Sequence, residues 1–188
     1  MLTFTKMTDL KQKQPYREEM ELPEKVEAHV SGHEVTVKGP RGELKRSLIY
    51  PGVTIKKEGS KLIVVSTTAN RREKAVVYTY AAHIKNMLTG VTKGFRYKMK
   101  IVFSHFPITV KVAGKEVEIT NFYGEKRPRT AEIIGNVKVS ATKEEVTLEG
   151  NSVEEVGQTM SNLEQATKIR NKDSRIFQDG IYLTSREA

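Results

Sequence analysis

Val30-Ser31-Gly32-His33-Glu34-Val35 is matched 82 positions later by Val112-Ala113-Gly114-Lys115-Glu116-Val117, and Gly42-Glu43 returns at the same offset as Gly124-Glu125. Six identities at one spacing mark two copies of one unit. A period of 82 residues exceeds the roughly 20–50 residues of a solenoid repeat and has the length of a small domain. Around the match in the first copy, Val26, Ala28 and Val30 alternate, followed by Val35 and Val37, which predicts a half-buried hairpin turning at Gly32. Gly39-Pro40-Arg41-Gly42 has proline second and glycine fourth, the preferences of a type I turn.

Further along, Val53 and Ile55, then Leu62, Val64 and Ser66, predict a second hairpin across Glu58-Gly59-Ser60. The other copy repeats it with Val137 and Val139, a turn near Lys143-Glu144, then Val146 and Leu148. Both copies then change to helical period. Val77, Ala81, Ile84, Leu88 and Val91 form one apolar stripe, and Val153, Val156, Met160, Leu163 and Ala166 form the other. Asn70 with Glu73, and Ser152 with Glu155, have the spacing of a capping box. A short strand is expected after each helix: Tyr97, Met99, Ile101 and Phe103 in the first copy, Ile181-Tyr182-Leu183 in the second. The predicted fold class is therefore α+β, two tandem duplicated domains, each an antiparallel sheet covered on one face by one helix. The expected boundaries are a polar arm at 1–22, a first repeat at 23–105 and a second at 106–188, with Met1–Gln14 the least bound to any core.

Composition fits a globular chain of 188 residues, 37% hydrophobic and 29% charged, with no cysteine. No thiolate metal site or cysteine nucleophile is available, and a reducing compartment is the natural setting. No apolar run reaches the roughly 18 residues of a membrane span, and residues 1–14 lack the apolar core of a secretory signal. The net charge of +9 is unevenly spread. Residues 23–105 hold 16 Lys+Arg against 6 Asp+Glu, while residues 106–188 hold 12 against 13 and gather their cations in two short clusters. Clustered cations suit a phosphate backbone, where each contact releases counterions.

Catalytic groupings are thin. His29 and His33 would sit about 13 Å apart on a strand, which does not suit a shared metal. His83 lies beside a helical apolar stripe, where packing or hydrogen bonding is its expected role, and His105 stands at the join between the copies. No glycine-rich run has phosphate-loop spacing. Glu144-Glu145 and Glu154-Glu155 fall at a turn and a helix start, where solvent and the helix dipole account for them. The chain reads as a non-enzyme, with no catalytic residue, metal, cofactor or small-molecule substrate.

The basic clusters carry more. Lys126, Arg127 and Arg129 flank Pro128 in a loop after Gly124. Lys168, Arg170, Lys172 and Arg175 follow the second helix, with Asn171 and Phe177 among them. Cations at a helix C-terminus complement its dipole, which accounts for one or two of these but not for four. Basic side chains beside an aromatic ring and an amide suit irregular RNA. Arg71 and Arg72 stand at the start of the first helix, where they oppose its dipole; a phosphate partner would relieve them, and so would solvent alone at a cost of under about 1 kcal/mol.

Lys38-Gly39-Pro40-Arg41-Gly42-Glu43-Leu44, His83-Ile84-Lys85-Asn86-Met87, Gly90-Val91-Thr92-Lys93-Gly94-Phe95, Ser104-His105-Phe106-Pro107, Asn121-Phe122-Tyr123-Gly124-Glu125-Lys126 and Arg175-Ile176-Phe177-Gln178-Asp179-Gly180-Ile181-Tyr182 follow one another in order. Together they resemble the L-six family of ribosomal proteins in its archaeal and eukaryotic branch, the archaeal form most closely. The resemblance runs from about Tyr16 to Tyr182. It implies a cytoplasmic, structural constituent of the large ribosomal subunit, bound to large-subunit ribosomal RNA near the translation-factor site and touching neighbouring large-subunit proteins, with no membrane partner. It also implies that the second domain makes much of the RNA contact, which falls on Lys126–Arg129 and Lys168–Phe177. The competing reading is a basic architectural nucleic-acid-binding protein outside the ribosome, because charge alone does not separate RNA from DNA.

Overall fold

The alternating and helical patterns become thirteen strands and two α-helices in a computed structural model that describes residues 15–104, 106–170, 172–173 and 175–188. The first repeat contains β1 (Arg17–Glu21), β2 (Glu27–Ser31), β3 (Glu34–Gly39), β4 (Gly42–Ser47), β5 (Val53–Glu58), β6 (Lys61–Ser66) and α1 (Arg71–Thr92). The second contains β7 (Phe95–Val102), β8 (Thr109–Ala113), β9 (Glu116–Thr120), β10 (Arg129–Glu132), β11 (Lys138–Ala141), β12 (Glu145–Gly150), α2 (Val153–Ala166) and β13 (Gly180–Glu187). All pairings are antiparallel.

Tight turns set the registers. The pairs Ser31↔Glu34 and Ala113↔Glu116 close on Gly32-His33 and Gly114-Lys115, with both glycines in the left-handed region at φ 61° and 63°. Only glycine adopts that conformation without a steric cost. Gly39↔Gly42 closes on Pro40-Arg41, and Glu58↔Lys61 closes on Gly59-Ser60.

The fold class is α+β, with one helix per repeat. Each repeat holds two small sheets where one was expected: β2-β3-β4 and β1-β6-β5 in the first, β8-β9-β10 and β11-β12-β7-β13 in the second. Between β4 and β5 the chain turns through Tyr50-Pro51-Gly52, with Gly52 at φ 88°, and enters the other sheet. The six strands of the first repeat each have a counterpart in the second, which adds β13. In each, a leading strand (β1 or β7) pairs with the second strand of the late hairpin (β6 or β12), and a three-stranded meander lies between them in sequence. The helices begin at Arg71 and Val153, and their caps are Asn70 and Ser152, again 82 residues apart.

Two boundaries move. The strand expected to close the first repeat is β7, which pairs with β12 and β13 and packs Phe95, Tyr97, Met99 and Ile101 into the second core. It opens the second repeat. Its alternation was legible, but alternation does not name a strand's partner. Likewise Arg17–Glu21, assigned to the arm, form β1 on β6, with Met20 buried in the first core. Met1–Gln14 lie outside the described residues, as does His105.

The predicted stripes are the cores. Val77, Ala81, Ile84, Leu88 and Val91 are all buried against β1, β3 and β6, while in α2 Val156 and Leu163 are fully buried and Val153, Met160 and Ala166 flank them. The capping boxes form by half. Ser152 accepts from the Glu155 amide at 3.4 Å, but the Glu155 carboxylate accepts from the Asn136 amide instead. Asn70 accepts from the Arg72 amide, and the Glu73 carboxylate accepts from Thr68. Both carboxylates tie the helix start to a preceding loop.

Candidate nucleic-acid interface

The loop after β9 and the segment after α2 are far apart in sequence and meet in space. A short 3-10 turn (Phe122–Gly124) places Asn121 and Tyr123 in the left-handed region, at φ 61° and 53°. For a residue with a β-carbon this backbone costs about 1–2 kcal/mol. Packing holds it there. The Tyr123 ring stands edge-on to Phe122 at 4.9 Å between centroids and edge-on to Phe177 at 5.8 Å. Burial, followed by nearby Asp179, pushes the Tyr123 phenol above its usual value, so it stays neutral at physiological pH.

Phe177 is set by a compact turn in which its amide and that of Ile176 donate to the Asp173 carbonyl, while the Arg175 amide donates to the Asp173 carboxylate. The Lys172 ammonium then lies 4.7 Å from the Phe177 centroid and 5.9 Å from that of Tyr123, within cation–π range. Asp179 is 1% exposed and accepts from both the amide and the hydroxyl of Ser104. The end of β7 is thereby fastened to the same segment.

Around this aromatic centre the predicted cations separate into two kinds. Lys126, Arg127, Lys168, Arg170, Lys172 and Arg175 are exposed, and none forms an ion pair among the described residues. Arg129 is engaged internally. Its Nε and Nη2 fork onto the Glu125 carboxylate at 2.8 and 2.6 Å, its Nη1 donates to the Ala166 and Lys168 carbonyls, and its guanidinium stacks 4.3 Å from the Phe122 centroid. The fork holds the Glu125 carboxyl below its usual value, against the opposing effect of burial. A helix leaves its last carbonyls without intrahelical partners. At the end of α2 Arg129 takes the Ala166 carbonyl, the Thr167 hydroxyl and the Thr167 and Lys168 amides take those of Leu163, Glu164 and Gln165, and no basic residue lies in the last turn of the helix itself. The cations at Lys168–Arg175 are therefore not consumed in capping. Asn171 lies outside the described residues.

Arg71 and Arg72 are exposed at the start of α1, in the other repeat, and do not join this cluster. Sequence reading gave no role to Phe122, Tyr123 or Glu125; an aromatic pair in a glycine-bounded loop beside a basic run is the signal that would have found them. It also missed the contact between repeats, where Arg41 donates to the Asn151 side chain and to the Lys93 carbonyl. Arg46 pairs with Glu154 there, and His83 approaches the same carboxylate at 3.6 Å. A cleft of about 700 Å³ beside Arg41 is lined by Glu43, Lys45, Lys138, Glu149 and Glu155, a mixed set of charges with no convergent chemistry.

The model of the family described as ribosomal protein L6 matches this chain twice, over residues 22–94 and 106–180. The chain belongs to the ribosomal protein L6 family. Large ribosomal subunit protein uL6 of Methanobrevibacter smithii is 53% identical over 171 residues, covering 91% of this chain and 96% of its own. The proteins of the same name from Methanothrix thermoacetophila and Ignicoccus hospitalis are 52% and 54% identical, each over 89% of this chain and 95% and 93% of their own. Membership makes this a ribosomal protein rather than an enzyme, and the double match coincides with the duplicated topology. The family match ends its first segment at residue 94, just before β7 begins.

Proposed function

We propose that this L6-family protein is a cytoplasmic, structural constituent of the large ribosomal subunit, binding large-subunit ribosomal RNA near the translation-factor site. The contact lies on the second repeat, through Lys126, Arg127, Lys168, Arg170, Lys172 and Arg175, with Asn171 in the same segment and Phe177 beneath Lys172. The convergence of the two basic segments on the Tyr123–Phe177 pair carries this reading. It presents unpaired cations on a rigid aromatic base, the combination that irregular RNA accepts through phosphates and stacking. Arg71 and Arg72 would supply a lesser contact from the first repeat, and neighbouring large-subunit proteins would complete the surroundings.

Salt titration of binding to purified large-subunit ribosomal RNA tests the reading. Each phosphate contact contributes about 0.7–0.9 to the slope of log affinity against log salt. Replacing Lys168, Arg170, Lys172 and Arg175 by Ala is expected to flatten that slope by roughly two to four units with the fold intact. The same number of changes at Lys56, Lys57, Lys61 and Lys74 should matter less. An unchanged slope in a folded quadruple variant would place the contact elsewhere.

A further inference from the structure

We infer that Glu125 and Arg129 are positioning residues that hold the two basic segments in one frame, and that Arg129 is not itself an RNA contact. The inference rests on the proposed rRNA interface and departs from it on Arg129. One guanidinium here makes two bonds to Glu125, two to the backbone at 166 and 168, and one ring contact. Its Nε–H and its forked edge are taken by the carboxylate, one face by Phe122, and the remaining nitrogen by two carbonyls. Little donor capacity is left for a phosphate. The arrangement instead links Lys126 and Arg127, which lie between Glu125 and Arg129 in sequence, to Lys168, whose own carbonyl Arg129 holds.

Glu125 places a negative charge within a cationic surface, where its direct effect on a phosphate partner is repulsive. Its retention beside Lys126 is explained if the charge orients Arg129. A pre-organised surface saves the cost of ordering each long side chain on binding. Arg and Lys are not equivalent in such a role, because the ammonium cannot make the planar fork.

The test measures binding of the full chain to purified large-subunit ribosomal RNA, with Glu125→Gln, Arg129→Lys and Arg17→Lys compared with the unmodified protein. Glu125→Gln removes a repulsive charge and is nevertheless expected to weaken binding about two- to tenfold, the cost of freeing one or more side chains. Arg129→Lys should weaken it by a similar factor although the charge is kept, with the salt slope unchanged because no phosphate contact is lost. Arg17→Lys, the same exchange at an exposed residue of β1 outside the proposed interface, should bind like the unmodified protein. Equal or tighter binding by Glu125→Gln overturns the inference, as does full affinity of Arg129→Lys. Circular dichroism and thermal melting confirm that each variant is folded, and Arg129→Lys provides the second arm if Glu125→Gln is not. Should the quadruple cation variant keep its slope, the interface itself falls and the inference with it. If that slope flattens while Glu125→Gln binds normally, only the positioning role falls.

Discussion

Asn151 and Arg41 exchange two hydrogen bonds across the boundary between the repeats: the Asn151 amide nitrogen donates to the Arg41 carbonyl at 2.8 Å, and its oxygen accepts from the Arg41 Nε at 3.3 Å. The Arg41 Nη1 meanwhile holds the Lys93 carbonyl at 2.7 Å, just past the end of α1. One turn residue of the first repeat thus touches both the helix end and the loop leading into α2. The repeats meet here through polar contacts, while their apolar cores form two separate clusters.

That geometry gives a coupling to measure. Arg41→Ala, Asn151→Ala and the double change are expected to show an interaction energy of about 0.5–1.5 kcal/mol in a double-mutant cycle of urea unfolding. A coupling near zero would mean that the two side chains contribute independently and do not lock the boundary.

Gly90 sits inside α1 where a β-carbon would overlap the Asn151 carbonyl oxygen, far inside van der Waals contact. Replacing glycine by alanine in a helix ordinarily gains about 1 kcal/mol. Here the obstacle is backbone, and overpacking costs about 1–3 kcal/mol. Because backbone must be displaced, Gly90→Ala should destabilise the protein by at least about 1 kcal/mol in the same unfolding assay. A gain of the full helical increment would show that the repeats slide apart without cost.

Leu163, on the inner face of α2, is completely buried. Leu163→Ala is expected to lower stability by about 2–5 kcal/mol, the range for a large core side chain replaced by alanine. A shift below about 1 kcal/mol in chemical denaturation would contradict the packing of α2 described above.

His83 supplies a pH dependence. Burial lowers its pKa first, Arg46 lowers it further, and Glu154 partly opposes both. A depressed imidazole is neutral in the fold, so its contribution is fully present above the unfolded value of about 6.5. It is lost as pH falls through the folded value. Stability of the unmodified protein should fall more steeply below pH 6.5 than that of His83→Gln, measured by urea titration across this range. Parallel curves would mean that the histidine titrates alike in both states.

Much of the fold was legible because its signals are local. The stripes at Val77–Val91 and Val153–Ala166, the glycine turns and the 82-residue offset follow from side-chain period and backbone sterics. What failed was non-local. The alternation of β7 says that one face is buried, but not that its partners are β12 and β13. The strand at Arg17–Glu21 hides because Met20 is its only fully buried side chain. In the interface the same division holds. The cation clusters stood out in sequence, whereas the internal engagement of Arg129 and the left-handed Tyr123 depend on Phe122, Ala166 and Phe177, which only folding brings together.

β13 has no equivalent in the first repeat, whose sheet stops at β1 among the described residues. In the second repeat it pairs along β7 from Gly180↔Val102 to Glu187↔Arg96. The consequence concerns the order of synthesis. The first repeat has every strand of its sheets once β6 is made, and α1 follows directly. The second repeat begins with β7 yet waits for β13, translated after α2, to cover that strand. During elongation β7 is therefore a half-paired edge, and its alternating Arg96, Lys98 and Lys100 are the kind of charge that discourages such an edge from recruiting another chain.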